Sequence, residues 1–127
     1  MRGVSESYRG KQVRVFRLDR TGVVARLDSA AGRLMAAQPE VLQITLFGSL
    51  ARGDAAPGSD ADLLIIVRDG AARFLERAVA LSPYFDEVGV GCDLFVYTES
   101  KVSRLATSRS IVRTALEEGM RIGKREA

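Results

Sequence analysis

Two acidic residues, Asp60 and Asp62, stand just before an aliphatic run, Leu63–Val67. The run is apolar on both faces of an extended strand, which predicts a central strand buried on both sides. Because side chains alternate along a strand, Asp60 and Asp62 are expected on one face, with Cα atoms about 7 Å apart. The sequence therefore predicts two like charges close together at the N-terminal end of a buried strand.

A second strand is predicted just upstream, at Leu42–Phe47, where β-branched, aliphatic and aromatic residues alternate with polar ones. Gly48 then permits a tight turn and a close backbone approach, and Ser49 can cap a short helix. The hydroxyl and amide of Ser49 are suited to binding a phosphate. The connection between the two strands is too short for a parallel crossover, so an antiparallel pair is predicted.

Two neighbouring carboxylates repel each other and need a compensating cation. Mg²⁺ is suited to this position, because it binds one or two carboxylates and completes its shell with water and substrate phosphates. The predicted unit is a phosphate cradle at Gly48 and Ser49 that faces the pair Asp60 and Asp62. An alternative is that Asp-x-Asp forms a turn before a solvated edge strand, since Asp and Ser favour turns.

A third carboxylate is expected on a neighbouring strand, because two-metal phosphoryl chemistry uses acids to bridge the ions and orient the nucleophile. Asp93 is the candidate, since it interrupts the apolar run Val88–Tyr97, where a charge is costly unless it is paired or binds metal. The alternatives are a frayed strand start after two glycines, or pairing with an arginine. Asp86 and Glu87 are rival acids, but they lie in a turn and are expected to be solvated.

Gly48-Ser49, ten intervening residues and Asp60-x-Asp62 together resemble the signature of the DNA polymerase β nucleotidyltransferase superfamily. The short chain resembles the minimal nucleotidyltransferases of that superfamily. The resemblance implies catalytic and metal-binding roles for Asp60, Asp62 and Asp93. A similar Ala-Arg-Gly in the family implies that Arg52, whose guanidinium matches phosphate oxygens, contacts the triphosphate.

The resemblance also implies a fold and an activity. The expected fold is α+β, a small mixed sheet with helices in the polymerase β-like palm arrangement. The expected activity is Mg²⁺-dependent, with a two-metal site, and moves a nucleoside monophosphate to a hydroxyl group while pyrophosphate leaves. ATP is the default donor, although no motif identifies the base. Such chemistry requires no histidine, and the chain contains none.

Larger members of the superfamily carry a further domain that holds the acceptor, and the sequence stops before one, so a partner protein is expected to present the acceptor hydroxyl. The resemblance implies a toxin–antitoxin arrangement in which the partner is a HEPN-domain ribonuclease that receives AMP on a tyrosine. Two alternatives stay open: a non-catalytic antitoxin that acts by binding alone, and nucleotidyl transfer to a small molecule. The oligomeric state is not indicated.

Length and composition predict one globular domain. The chain has 127 residues, of which 46% are hydrophobic and 28% charged, and its ordered core is expected at about residues 10–122. No stretch is long and apolar enough to predict a membrane span, so a cytoplasmic protein is expected. The net charge of +3 comes from scattered basic residues, which makes direct nucleic-acid binding unlikely. The single cysteine, Cys92, is predicted to be a small strand hydrophobe.

Helices are predicted around the strands from apolar stripes at 3.6-residue spacing. The first carries Val23 to Met35 and stops before Pro39, a second spans Ala71–Leu81, a third begins near Thr98, and the last runs from Ile111 to a glycine stop at Gly119. Alternation also predicts an N-terminal edge strand at Gln12–Leu18, and Met120–Ile122 is predicted as a short strand or tail.

Overall fold

The computed structural model of the chain describes residues 19–56, 58–70 and 78–124. In that part of the chain, four strands form one sheet with helices packed against it. The α-helices are α1 (Arg20–Ala37), α2 (Ser49–Arg52), α3 (Glu99–Leu105) and α4 (Ile111–Glu118), and a 3₁₀ helix spans Ala78–Phe85. The strands are β1 (Val41–Phe47), β2 (Ala61–Val67), β3 (Cys92–Thr98) and β4 (Met120–Ile122). Among the described helices, none combines the length and apolar character needed to cross a membrane.

The sheet has the strand order β3-β2-β1-β4. Strand β1 pairs antiparallel with both β2 and β4, whereas β2 pairs parallel with β3. The two strands that flank the acidic loop are therefore antiparallel neighbours, as the short connection predicted. The predicted fold class, α+β with a small mixed sheet, is confirmed.

Helix α1 covers one face of the sheet. It begins after Asp19, whose carboxylate accepts a hydrogen bond from the N–H of Gly22 at 3.1 Å, and it ends two residues before Pro39. The predicted apolar stripe of the helix packs against alternate residues of β1 and β2 and covers one face of these two strands. The packed residues include Val23, Leu27, Ala30, Ala31, Leu34 and Met35 of the helix, and Ile44, Leu46, Leu63 and Ile65 of the strands.

Helices α3 and α4 cover the opposite face. Their buried residues pack with alternate side chains of β1 and β2 in a second cluster of Phe47, Leu64, Ile66, Val102, Val112 and Ala115. Every residue of Leu63–Val67 is buried, and β2 lies between β1 and β3. The central-strand prediction is confirmed, and the solvated-edge alternative is excluded. Asp62 lies on this second face, because Leu64 and Ile66 follow it at intervals of two.

The predictions of the last two helices are confirmed. The side chain of Thr98 caps α3 by accepting a hydrogen bond from the N–H of Lys101 at 3.3 Å. Helix α4 ends at Glu118, and Gly119 is its C-cap residue. Beyond it, Met120–Ile122 is a strand and not a tail.

Two local predictions near the site were wrong. The apolar pattern predicted a strand over Val88–Tyr97, but β3 begins at Cys92, because Gly89 has a φ of 98° that interrupts an extended conformation. Ser49 was predicted to cap the short helix, but Gly48 is the N-cap residue and Ser49 is the first helical residue. The glycine, with a φ of 81°, makes the sharp turn and leaves the serine inside the helix.

The predicted helix over Ala71–Leu81 was wrong in type over its described part, Ala78–Leu81, and wrong in its end. Its described part belongs to the 3₁₀ helix, which continues to Phe85. Pro83 lies inside this helix, and because proline lacks an N–H it is poorly suited to an α-helix interior. Residues 71–77 and the predicted edge strand Gln12–Leu18 lie outside the described residues.

Candidate active site

Three acidic residues lie together at one end of β2 and β3. Asp62 is directly opposite Asp93 in the parallel register, and neighbouring strands are about 4.8 Å apart. Asp60 precedes β2 by one residue, where the N–H of Ala61 donates to the carbonyl of Gly91 at 2.8 Å. Asp62 is half-buried, whereas Asp60 and Asp93 are exposed. The fold thus brings the three predicted acids to one edge, although Asp93 lies at the start of its strand and not inside an apolar run.

The rival acids lie elsewhere. Asp86 and Glu87 are exposed residues of the turn after the 3₁₀ helix, where the N–H of Asp86 donates to the carbonyl of Pro83 at 3.2 Å. Neither residue belongs to β3. The register opposite Asp62 is occupied by Asp93, so the geometry favours Asp93 as the third acid.

Two glycines make room for the carboxylates. A β-carbon built on Gly48 would overlap Oδ2 of Asp62, and a β-carbon built on Gly91 would lie 2.7 Å from Oδ1 of Asp60. Each of these backbone segments can approach its carboxylate only because a side chain is missing. The turn before α2 and the loop before β3 are therefore packed directly against the acids.

At Asp62, burial and neighbouring negative charge outweigh the effect of nearby positive charge. Burial raises the pKa of Asp62, and the charges of Asp93 and Asp60 raise it further, while the positive charge of Arg52 acts in the opposite direction. Burial, together with Asp60 and Asp93, also raises the pKa of the neighbouring Cys92 thiol to about 11. Cys92 is half-buried and packs against the α1-facing core, as a small strand residue should.

The acids provide the ligand type that a hard divalent cation prefers, because carboxylate oxygens suit Mg²⁺. Burial is the largest cause of the raised pKa of Asp62 and repulsion by Asp93 and Asp60 is the second, and a bound cation would favour the ionised carboxylate against both. Among the described residues, however, no three acidic, histidine or cysteine side chains already form a group that could hold a metal ion. The donor chemistry fits Mg²⁺, and the carboxylates would have to converge to bind it.

Arg52, the predicted phosphate contact, is held by two carboxylates. Its Nε donates to Oδ2 of Asp54 at 3.1 Å, and its Nη1 donates to Oε1 of Glu118 at 2.8 Å. These two partners raise the pKa of Arg52, so the guanidinium stays charged. The structure brings Arg52 near enough to Asp62 for its charge to act there, and its contact with phosphate stays a prediction.

A second arginine positions the short helix and was not identified from the sequence. The Nε of Arg20 donates to the carbonyl of Leu50 at 2.8 Å, and its Nη2 donates to the carbonyl of Ala51 at 3.2 Å. These carbonyls are in α2, next to the Gly48 turn. Contacts between residues 30 or 31 positions apart leave no local pattern, and neither Arg20 nor Glu118 belongs to a motif.

Comparisons with known proteins identify the family and the fold. A family model described as nucleotidyltransferase domain matches residues 28–122, which include all three acids. A proposed nucleotidyltransferase from Sulfolobus solfataricus shares the fold, with a TM-score of 0.57, 17% identity and coverage of 80% of each chain. A toxin-antitoxin structure with AMP-PNP aligns more loosely, with a TM-score of 0.41, 21% identity and coverage of 82% of this chain and 72% of its own. The search of curated proteins gives no match.

Proposed function

The chain belongs to the nucleotidyltransferase domain family, and on that premise we propose that it transfers a nucleoside monophosphate from a nucleoside triphosphate to a hydroxyl group of a partner protein. The observation that carries the proposal is the in-register pair Asp62 and Asp93, with the backbone of Gly48 against the Asp62 carboxylate. This contact joins a glycine-serine turn to a group of acids. A triphosphate bound with a divalent cation needs donors for its phosphate oxygens and carboxylates for the cation, and this contact brings the two groups together.

The proposed reaction is a displacement at the α-phosphorus. The acceptor oxygen forms a bond to that phosphorus, and the bond to the oxygen bridging the α- and β-phosphates breaks. Pyrophosphate leaves with the electron pair, and the acceptor proton passes to the carboxylate of Asp93 and then to water. Catalysis of this kind depends on positioning and on charge stabilisation, which carboxylates and a guanidinium can supply without a histidine.

Asp60, Asp62 and Asp93 are the proposed metal ligands, in a site for two ions. Bound Mg²⁺ would neutralise triphosphate charge and stabilise the attacking and leaving oxygens. The loop before β3 passes close beside Asp60, and the turn before α2 passes close beside Asp62. The half-burial of Asp62 limits its exposure to water and strengthens its interaction with a cation.

Gly48, Ser49 and Arg52 are the proposed nucleotide-binding residues. The first turn of any helix leaves N–H groups without partners inside the helix, and at α2 these belong to the segment after Gly48. The Ser49 hydroxyl and the Arg52 guanidinium would add donors for phosphate oxygens. Contacts to phosphate oxygens do not distinguish one nucleobase from another, so ATP is proposed as the donor by default.

The proposed acceptor is a hydroxyl group of a HEPN-domain partner, with this chain as the antitoxin that modifies it. The support is the resemblance of the Gly48-to-Asp62 motif to minimal nucleotidyltransferases. The exposure of Asp60 and Asp93 is consistent with a large acceptor, because it leaves the acids accessible to a folded protein. In the non-catalytic alternative the chain would inhibit its partner by binding alone.

The test is transfer of label from each α-labelled nucleoside triphosphate in turn, with Mg²⁺ and the protein encoded by the neighbouring gene. A labelled protein band that requires metal and disappears with Asp62→Asn would support the proposal and identify the base. Asp86→Asn is the matched control, since it removes an exposed acid outside the group. Inhibition of the partner by Asp60→Asn, without any label, would instead support binding alone.

A further inference from the structure

The contact between Arg52 and Glu118 joins two distant parts of the chain. Glu118 is the last residue of α4 and is 66 positions from Arg52, whereas Asp54 lies only two residues beyond the arginine. The Arg52 side chain is 46% exposed, and ion pairs on such surfaces contribute little to folding. Stability is therefore a weak explanation for a contact that fixes the end of one helix to another.

The two contacts leave Arg52 with capacity for another anion. A guanidinium carries five N–H donors, and Asp54 and Glu118 each take one in the described part of the chain. The remaining donors belong to a side chain whose charge already acts on Asp62. Arg52 is thus charged, held at two points and close to the acids.

An arginine side chain that is already held in place loses less conformational entropy when it binds a phosphate. A free arginine loses rotamer freedom when it binds a phosphate, and this loss weakens binding. A guanidinium already fixed by Asp54 and Glu118 loses less rotamer freedom, so its binding to phosphate is weakened less. Of these two partners, Glu118 has the shorter contact and the less exposed side chain, with 32% against 62% for Asp54.

We propose that Glu118 is a positioning residue for the nucleotide: it fixes the Arg52 guanidinium so that its remaining N–H groups receive the triphosphate. This inference rests on the proposed function and extends the nucleotide site to the end of α4. Glu118 itself need not touch the nucleotide. Its effect is exerted through Arg52, which distinguishes it from a group that acts on the reacting atoms.

The test compares Glu118→Gln with Glu117→Gln in otherwise unchanged protein. Glu117 is the matched control, because it lies in the same helix turn and pairs with Arg113 at 3.0 Å. Glu118→Gln is expected to raise KM for the triphosphate, and Kd for a non-hydrolysable analogue, by about threefold to tenfold, with kcat changed by less than about twofold. Glu117→Gln is expected to change none of these values.

The route through Arg52 is tested by a double-mutant cycle. In an Arg52→Gln background, Glu118→Gln is expected to add no further loss of analogue binding, because the group that it positions is gone. Equal effects of the two glutamate variants, or the same loss with and without Arg52, would overturn the positioning role alone. If the wild-type chain neither bound the analogue nor transferred label, the proposed function would fail and this inference with it.

Discussion

Asp62→Asn is expected to stabilise the metal-free protein while abolishing transfer. Burial first, and then the charges of Asp93 and Asp60, raise the pKa of Asp62 in the folded chain. An acid with a raised folded pKa destabilises the fold when ionised. This penalty is absent below the unfolded pKa of about 3.9, grows as the pH rises, and is complete above the folded pKa. Near neutral pH the asparagine variant removes it.

The repulsive part of the magnitude follows from the spacing of the strands. At about 5 Å, two unit charges repel by about 0.8 kcal/mol in water-like surroundings, and salt reduces this value. Because Asp62 is only half-buried, the screened gain is about 0.5–1 kcal/mol. For a chain of 127 residues this corresponds to a rise in Tm of about 2–5 °C.

Thermal unfolding with and without Mg²⁺ is the assay. At Mg²⁺ about ten times its Kd, binding to the wild-type protein adds about 1.4 kcal/mol of stability, so its Tm should overtake that of the variant. Asp86→Asn, measured in parallel, should respond like wild type, and NaCl of equal ionic strength should not reproduce the effect. A lower Tm of Asp62→Asn without metal would refute this prediction, as would an equal rise in the Tm of wild type and variant when Mg²⁺ is added.

Three further predictions concern the surroundings of the acids. Gly48→Ala is expected to lower the free energy of unfolding by about 1–3 kcal/mol and to abolish label transfer, because its side chain would overlap the Asp62 carboxylate. Gly58→Ala is the matched control: Gly58 has a similar φ of 87° but no described atom within 4 Å of an added β-carbon. This control variant should lose stability but keep label transfer. The Cys92 thiol should react with iodoacetamide at pH 8 about 10-fold more slowly than a thiol with the ordinary pKa of 9.0, because a pKa of about 11 leaves about 100-fold less thiolate and the greater nucleophilicity of that thiolate offsets only part of the loss. Mass spectrometry would measure the rate, and a rate typical of a free thiol would contradict the electrostatics. Arg20→Ala is expected to lower the free energy of unfolding in urea by about 1–2 kcal/mol and to weaken analogue binding, since two carbonyls of the short helix lose their donor. Unchanged binding would mean that the short helix keeps its position without Arg20.

The sheet around the acids was predictable because its signals are local. Apolar residues on both faces of Leu63–Val67 identify a central strand, and the short loop before it requires antiparallel pairing with β1. The pattern failed at Val88–Gly91, where apolar residues suggested strand but a positive φ at Gly89 interrupts it. Hydrophobicity reports burial, whereas backbone direction at a glycine depends on contacts that the sequence does not display.

The arginines near the site could not be assigned for a related reason. Nineteen lysines and arginines are spread along the chain, so composition does not distinguish one that positions a helix from one that is solvated. Arg26 illustrates this, because its Nε donates to the carbonyl of Val88 at 2.9 Å across 62 positions. Such contacts follow from the tertiary fold, and the roles of Arg20 and Glu118 emerge only with it.

The spacing within the Gly-Ser and Asp-x-Asp motif has a structural reason beyond the turn itself. Phe47 pairs with Asp62 across the antiparallel strands, so the residue after Phe47 must pass beside the carboxylate. Glycine is favoured there because its φ is 81°, and because a β-carbon would overlap the Asp62 oxygen unless that side chain moved. The two halves of the motif are therefore one contact, and a change in loop length that shifted the register by one residue would turn Asp62 to the α1-facing side. Such a shift would separate Asp62 from Asp93 even if both residues were retained.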